Sequence, residues 1–206
     1  RSPKELKKAL KQGKIASMKG VEGGHMIEDS MEYLDSLYKR GARYLTLTWN
    51  NSVPWASSAA DETSGKVTTP GLNDFGKSVV RRMNELGMMI DISHVGEQTV
   101  KDVLAITTKP IIASHSSAYH FNAHPRNLKD EQIKAIADNG GVIFVNFYSG
   151  FLDSTYMRRK AAIQDTYRKQ VDSLKQLDKT SFYIDEWLAK EYPHAFEDLR
   201  SPLSLL

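Results

Sequence analysis

Short apolar runs alternate with amphipathic stretches along most of this chain, and that rhythm limits the fold more than any other feature. The runs are Ile15–Val21, Tyr44–Trp49, Met88–Ile92, Ile111–Ala113 and Val142–Phe147. Each is short and rich in Ile, Val, Met or aromatic residues, which suits a strand buried on both faces. Between the runs, apolar positions follow helical spacing. Ile27, Met31, Leu34 and Leu37 form one stripe, closed by Gly41. Leu72, Phe75, Val79, Met83 and Leu86 form a second, closed by Gly87. Val100, Val103 and Leu104 mark a shorter third, and Ile133, Ile136 and Ala137 a fourth that ends at Asn139-Gly140-Gly141. Glycine just past the last apolar position is a helix stop, because it enters the left-handed region without a Cβ penalty. A β-α-β-α order of this kind demands a parallel sheet with right-handed crossovers.

Two segments depart from the rhythm. Asn50 to Pro70 is a long polar connection rich in Ser, Thr and Asn, and a loop that long inside a domain is usually functional. Phe151 to Leu206 reads as helical and charged, with a basic cluster at Arg158–Lys160. The expected organisation is therefore βα units over residues 1–150 and a helical insertion or lid over residues 151–206. The chain stops on the apolar Pro202-Leu203-Ser204-Leu205-Leu206, with no helix stop. About five strands fall short of the eight of a closed parallel barrel. They suit an open doubly wound sheet or the middle of a barrel.

Composition narrows the chemistry. With no cysteine among 206 residues, thiolate metal sites, Fe–S clusters and Cys nucleophiles are excluded, so any metal ligands must be His or carboxylate. A balance of 28 basic against 25 acidic residues is too even to argue for nucleic acid. No apolar run approaches the roughly 20 residues of a membrane span. Arg1 to Lys14 is basic and polar, without the apolar centre of a secretion signal. The compartment stays open.

In parallel α/β architectures the reactive residues gather at the C-terminal ends of strands. Those ends are marked here by Glu22, Trp49, His94, His115 and Asn146. One carboxylate and two imidazoles on separate strands form a zinc set of the kind that leaves a coordination position open for water. His94 and His115 lie about one βα unit apart, so they come from neighbouring strands and face one mouth. The alternatives are ordinary: a strand-end His is often a hydrogen-bonded structural residue, and Glu22 can cap the turn at Gly23-Gly24. Asp91, on the opposite side of its strand from Ile90 and Ile92, is either a hydrogen-bond partner for a ligand His or a buried polar contact. Arg126 is either a bidentate grip on a substrate carboxylate or a surface residue of a polar loop. Phe147 and Tyr148 either wall a pocket or belong to the core. His25, His120, His124 and His194 are read as solvated.

These residues stand in recognisable motifs. Gly20-Val21-Glu22-Gly23-Gly24-His25, Asp91-Ile92-Ser93-His94-Val95, Ser114-His115-Ser116-Ser117-Ala118-Tyr119, Arg126-Asn127-Leu128 and Val145-Asn146-Phe147-Tyr148 succeed one another in order. Together they resemble the membrane dipeptidase (renal dipeptidase) family of zinc metallopeptidases, from about Lys14 to Phe151. The resemblance implies a (β/α)8 barrel of the amidohydrolase type with a two-zinc site. It implies that Glu22 is the metal-bridging and catalytic carboxylate, that His94 and His115 bind the second zinc, and that Arg126 holds the C-terminal carboxylate of a dipeptide. The family cleaves dipeptides, often with a D-residue at the C-terminal position.

The departures shape the expectation for this chain. No His-x-Asp pair for the first zinc precedes Glu22, and no Asp-Phe-Asp-Gly setting for the catalytic Asp comes after it. Trp49 stands where several members carry a substrate-contacting His. Residues 151–206 run longer than at that point in animal enzymes and fit a bacterial branch with an insertion. The expectation is a partial barrel of about five βα units from a zinc dipeptidase, holding one Zn2+ at most where the parent holds two. The alternatives are a non-catalytic single-metal fragment or another amidohydrolase-like hydrolase. A homodimer is a further expectation, since open strand edges invite pairing. A periplasmic or membrane-associated parent is compatible with the family.

Overall fold

Apolar residues placed alternately along short strands, with helices long enough to cover them, build the observed architecture from the N-terminus onward. The computed structural model describes residues 3–197 and 199. Its elements run α1 (Pro3–Lys11), β1 (Lys19–Glu22), a 3-10 turn (Gly24–Ile27), α2 (Met31–Lys39), β2 (Ala42–Thr46), α3 (Ala59–Thr63) and α4 (Asp74–Leu86). Next come β3 (Met89–Asp91), α5 (Glu97–Ile106), β4 (Ile112–Ser116), α6 (Asp130–Asp138) and β5 (Val142–Val145). The remainder is helical: α7 (Ser149–Leu152), α8 (Tyr156–Thr166), α9 (Arg168–Gln176), α10 (Ser181–Glu191) and α11 (Pro193–Glu197).

The strands form one five-stranded sheet in the order β1-β2-β3-β4-β5, every pair parallel. Each strand therefore lies beside its predecessor, with no reversal of direction across the sheet. A doubly wound sheet reverses its strand order at a switch point, and a barrel does not. The chain is α/β with a partial barrel of the (β/α)8 type.

Local chemistry sets the element ends. Ser30 and Asn73 cap α2 and α4 by accepting from the backbone N–H of Tyr33 and Gly76. Gly87 closes α4 with φ 72°. The core lies between sheet and helices, where Leu45, Leu47, Ile90 and Ile92 meet Leu34, Val79, Met83, Val100, Val103 and Ile136.

Four expectations need correction. The first strand begins at Lys19, not Ile15, and Ile15 is almost wholly exposed, because pairing with β2 starts only at Lys19 opposite Ala42. Burial on both faces fails for β5, where Val142, Phe144 and Val145 are exposed, since β5 is the last strand of the sheet. Ile27 does not ride on α2. It is buried in the 3-10 turn before it. The 50–70 connection is not one uninterrupted loop: it contains α3, and Val53, Trp55, Ala56, Ser57, Ser58 and Asp61 are buried.

Among the described residues the chain divides into two compact units. One comprises the residues up to Tyr119 together with Pro125–Asn146, and the other His120–His124 with the residues from Phe147 onward. The second is built around Val171, Ile184 and Leu188, flanked by Tyr167 and Tyr192 stacked with ring centres 3.9 Å apart. Lys160 pairs with Asp185 inside it, so its basic cluster is partly engaged. The apolar terminus Pro202–Leu206 lies outside the described residues.

Candidate functional site

Register brings the site together before any side chain is considered. Glu22 lies opposite Thr46, and Thr46 opposite Asp91, so three side chains of β1, β2 and β3 share one face at one level. β1 must turn immediately after Glu22. Gly23 does so at φ 96°, and a Cβ on Gly24 would lie 2.4 Å from the Leu47 carbonyl oxygen. Gly23, the N-cap of the 3-10 turn, has no side chain to bond its free N–H groups, and the ion pairs of Glu22 lie elsewhere.

The carboxylate instead faces two imidazoles. Glu22 Oε1 lies 3.1 Å from His94 Nε2 and 3.2 Å from His115 Nε2, and the two nitrogens are 2.9 Å apart. Three ligands held tetrahedrally at 2.0–2.2 Å from a zinc ion stand about 3.3 Å from one another. The observed triangle is close to that spacing, and its atoms are hard or borderline donors of the type zinc takes. Among the described residues this is the one group of His and acidic side chains arranged to hold a metal ion.

His94 sits in the loop after β3 with φ 68°, a left-handed conformation uncommon for any residue but glycine. It is buried, and Asn50 Oδ1 lies 3.0 Å from its Nδ1. Burial, aided by the charge of Arg126 and by His115, lowers the His94 pKa to about 3, against the pull of Asp91. The ring is therefore neutral at pH 7, as a ligand must be. His115 lies within β4 rather than after it, and is half-buried.

Asp91 is the hub beneath the rings. Fully buried, it accepts from Thr46 Oγ1 at 2.6 Å, Ser114 Oγ at 2.5 Å, and the backbone N–H groups of Ser93 and Ser114 at 3.0 and 2.9 Å. Ser114 Oγ also meets His115 Nδ1 at 2.7 Å.

Arg126 is set by the pairing of Ser117 with Leu128 in the loop after β4. Its Nη2 donates to the His115 carbonyl at 3.2 Å. Burial lowers its pKa to about 10, while the charges of Glu22 and Asp91 act the other way, so it stays cationic at neutral pH. It is not a solvated surface residue. Trp49 is half-exposed with its ring centre 6.3 Å from that of His94.

Among the described residues, no other histidine joins the group arranged to hold a metal ion. His25 meets Asn51 at 2.8 Å, and His194 and His120 are exposed. His124 packs on Phe151 at 4.6 Å within the second unit, so it is not simply solvated. Phe147 is largely exposed, and Tyr148 contacts Phe151 and Tyr156. Sequence reasoning alone misses Asn50 and Ser114. Their only signal is adjacency to Trp49 and His115.

A sequence model of the membrane dipeptidase family, peptidase family M19, matches residues 1–179. An uncharacterised dipeptidase of Schizosaccharomyces pombe is 44% identical over 140 residues, covering 68% of this chain and 33% of the relative. A crystal structure of an amidohydrolase from Pseudomonas aeruginosa superposes with TM-score 0.67 at 31% identity, covering 75% of this chain and 45% of that one. A metallopeptidase from Rhodobacter sphaeroides, crystallised with a phosphinate mimic of L-Ala-D-Ala, gives TM-score 0.68 at 26% identity, covering 75% of this chain and 44% of that one. The chain thus spans a third of the curated relative and under half of these solved structures. A family match over that extent, joined to this identity and this fold, establishes that the chain belongs to the membrane dipeptidase family.

Proposed function

We propose that this chain carries the central part of a zinc-dependent dipeptidase site, with Glu22, His94 and His115 as metal ligands and Arg126 as the anchor for a dipeptide's terminal carboxylate. The observation that carries the reading is the convergence of Glu22 Oε1, His94 Nε2 and His115 Nε2 within 3.2 Å of one another. A zinc ion held there by Glu22, His94 and His115 would supply Lewis-acid chemistry for amide hydrolysis. The chain's own residues do the rest. Glu22 is half-exposed, which leaves the donor face open to a small substrate. It also takes the catalytic role that the family resemblance assigns to it. Arg126 presents a partly desolvated cation, and a guanidinium in that state binds a carboxylate more strongly than one in water. Such a grip favours short peptides, because a longer one has no carboxylate at that point. The dipeptide mimic bound by the Rhodobacter sphaeroides relative supports this substrate class.

A second reading has its own support. Among the described residues one triad is present, so one ion can be held, and binding without turnover is then expected of the isolated chain. Metal content by plasma mass spectrometry, after dialysis against trace zinc, tests both readings. The expected result is about one zinc per chain, lost in His115→Ala. No zinc in either protein sinks the metal site. Dipeptide hydrolysis above the background of a His94→Ala control favours the active enzyme over the single-ion fragment.

A further inference from the structure

We propose that Asp91, acting through Ser114, is a positioning group that sets the tautomer of His115, and that Asn50 does the same for His94. The proposal rests on the metal seat proposed above and explains why that seat is preformed. Ser114 has one hydroxyl proton and two close polar neighbours, with Ser93 Oγ farther off at 3.4 Å. The Asp91 carboxylate can only accept, and at 2.5 Å it must receive that proton. Ser114 Oγ is then an acceptor toward His115 Nδ1, 2.7 Å away, so the ring proton sits on Nδ1. Nε2 is left with its lone pair toward Glu22 and His94. Asn50 Oδ1 imposes the same choice on His94, accepting from Nδ1 at 3.0 Å. Both rings thus present unprotonated Nε2 atoms to one point, by hydrogen bonds made on their far sides.

The geometry also says what the isosteric change would do. Asp91 Oδ1 accepts from two backbone N–H groups, so in Asp91→Asn the amide oxygen must occupy that position. The amide nitrogen then faces Ser114 Oγ and donates to it. The Ser114 proton then turns to His115 Nδ1, a nearer partner at 2.7 Å than Ser93 Oγ at 3.4 Å, which drives the ring proton to Nε2, the atom meant for the metal. The whole relay reverses with almost no change in shape.

The test is zinc affinity of the 206-residue chain by chelator competition, with ring 15N shifts of the histidines in the zinc-loaded protein as a second readout. The wild-type chain is expected to bind zinc through Nε2 of both rings, with Nδ1 protonated. Asp91→Asn, Ser114→Ala and Asn50→Ala are each expected to lose about 10- to 100-fold in affinity. Ser114→Thr, which keeps the hydroxyl, is expected to retain it. Thr46→Val removes a bond to the same Asp91 oxygen but none to a ring. It is expected to lower thermal stability while leaving zinc affinity unchanged. Zinc bound through Nδ1, or unchanged affinity in Asp91→Asn and Ser114→Ala, overturns the positioning role while leaving the metal seat standing. Equal losses in Thr46→Val would show a purely structural effect and overturn it too. A wild-type chain that binds no zinc overturns the seat and the proposal together.

Discussion

His94 combines three costs at one residue: a positive φ, burial and a neutral ring held among charges. Strain of this kind persists where the surroundings over-determine the conformation, and it collects at functional sites. The backbone part can be separated from the ring. His94→Ala loses the imidazole and keeps the strained φ, whereas His94→Gly loses the ring and relieves the strain. The glycine variant is therefore expected to be more stable than the alanine variant by about 1–2 kcal/mol in urea melts of the metal-free chain. Equal stabilities would mean the loop relaxes and stores nothing. At this scale Glu22, His94 and His115 stand out in the sequence because reactive residue types close apolar runs, whereas Arg126 stands out only through the motif Arg126-Asn127-Leu128. Asn50 and Ser114 do not, since common polar residues acquire a role only through a neighbour brought from another strand.

Helix α2 is tied to α4 by a bidentate pair, with Arg82 Nε and Nη2 donating to Asp35 at 2.9 and 2.8 Å. The hydrogen bonds from Arg82 hold the Asp35 pKa below its ordinary 3.8. A carboxylate whose folded pKa is depressed contributes stability above its unfolded pKa and loses it as pH falls through the folded one. Asp35→Asn is therefore expected to flatten the stability loss below about pH 4, measured by urea unfolding from pH 5 downward. A slope identical to the parent's would show that the pair contributes nothing to this docking. The two glycines of α4 and its end differ in kind. Gly87, at φ 72°, has open space where a Cβ would sit, and Gly87→Ala should cost about 1 kcal/mol. A Cβ on Gly76 would lie 2.3 Å from the Trp55 carbonyl oxygen, so Gly76→Ala should cost about 3 kcal/mol. Thermal melts of both variants would reveal any inversion of that order. The helix stripes and the Gly87 stop are legible in the sequence because periodicity and capping are local. The start of β1 is not: Ile15–Met18 are as suited to a strand as Lys19–Glu22, and pairing partners alone decide where a strand begins.

The sheet has two outer strands, β1 and β5, and β5 carries a row of exposed apolar residues. An outer strand with exposed Val142, Phe144 and Val145 is a template for pairing with another chain. The isolated chain is expected to associate as its concentration rises, read by sedimentation velocity, and Val145→Lys with Phe144→Lys should shift it toward monomer. A monomer at every concentration would discount the edge as an interface. Among the described residues no helix is long and apolar enough to cross a membrane.

Sequence alone determined the βα alternation, the parallel sense of the sheet and the residue types at the strand ends, because these derive from side-chain period and from local backbone stops. Tertiary structure decided the rest. Strand order made the sheet a barrel segment and not a doubly wound one. Register put Glu22, Thr46 and Asp91 on one level, and burial stripped His94 and Arg126 of the solvation that would set their ordinary pKa values. Donor spacing, tautomer and desolvation belong to groups distant in the chain, and only the packing that joins them can set their values.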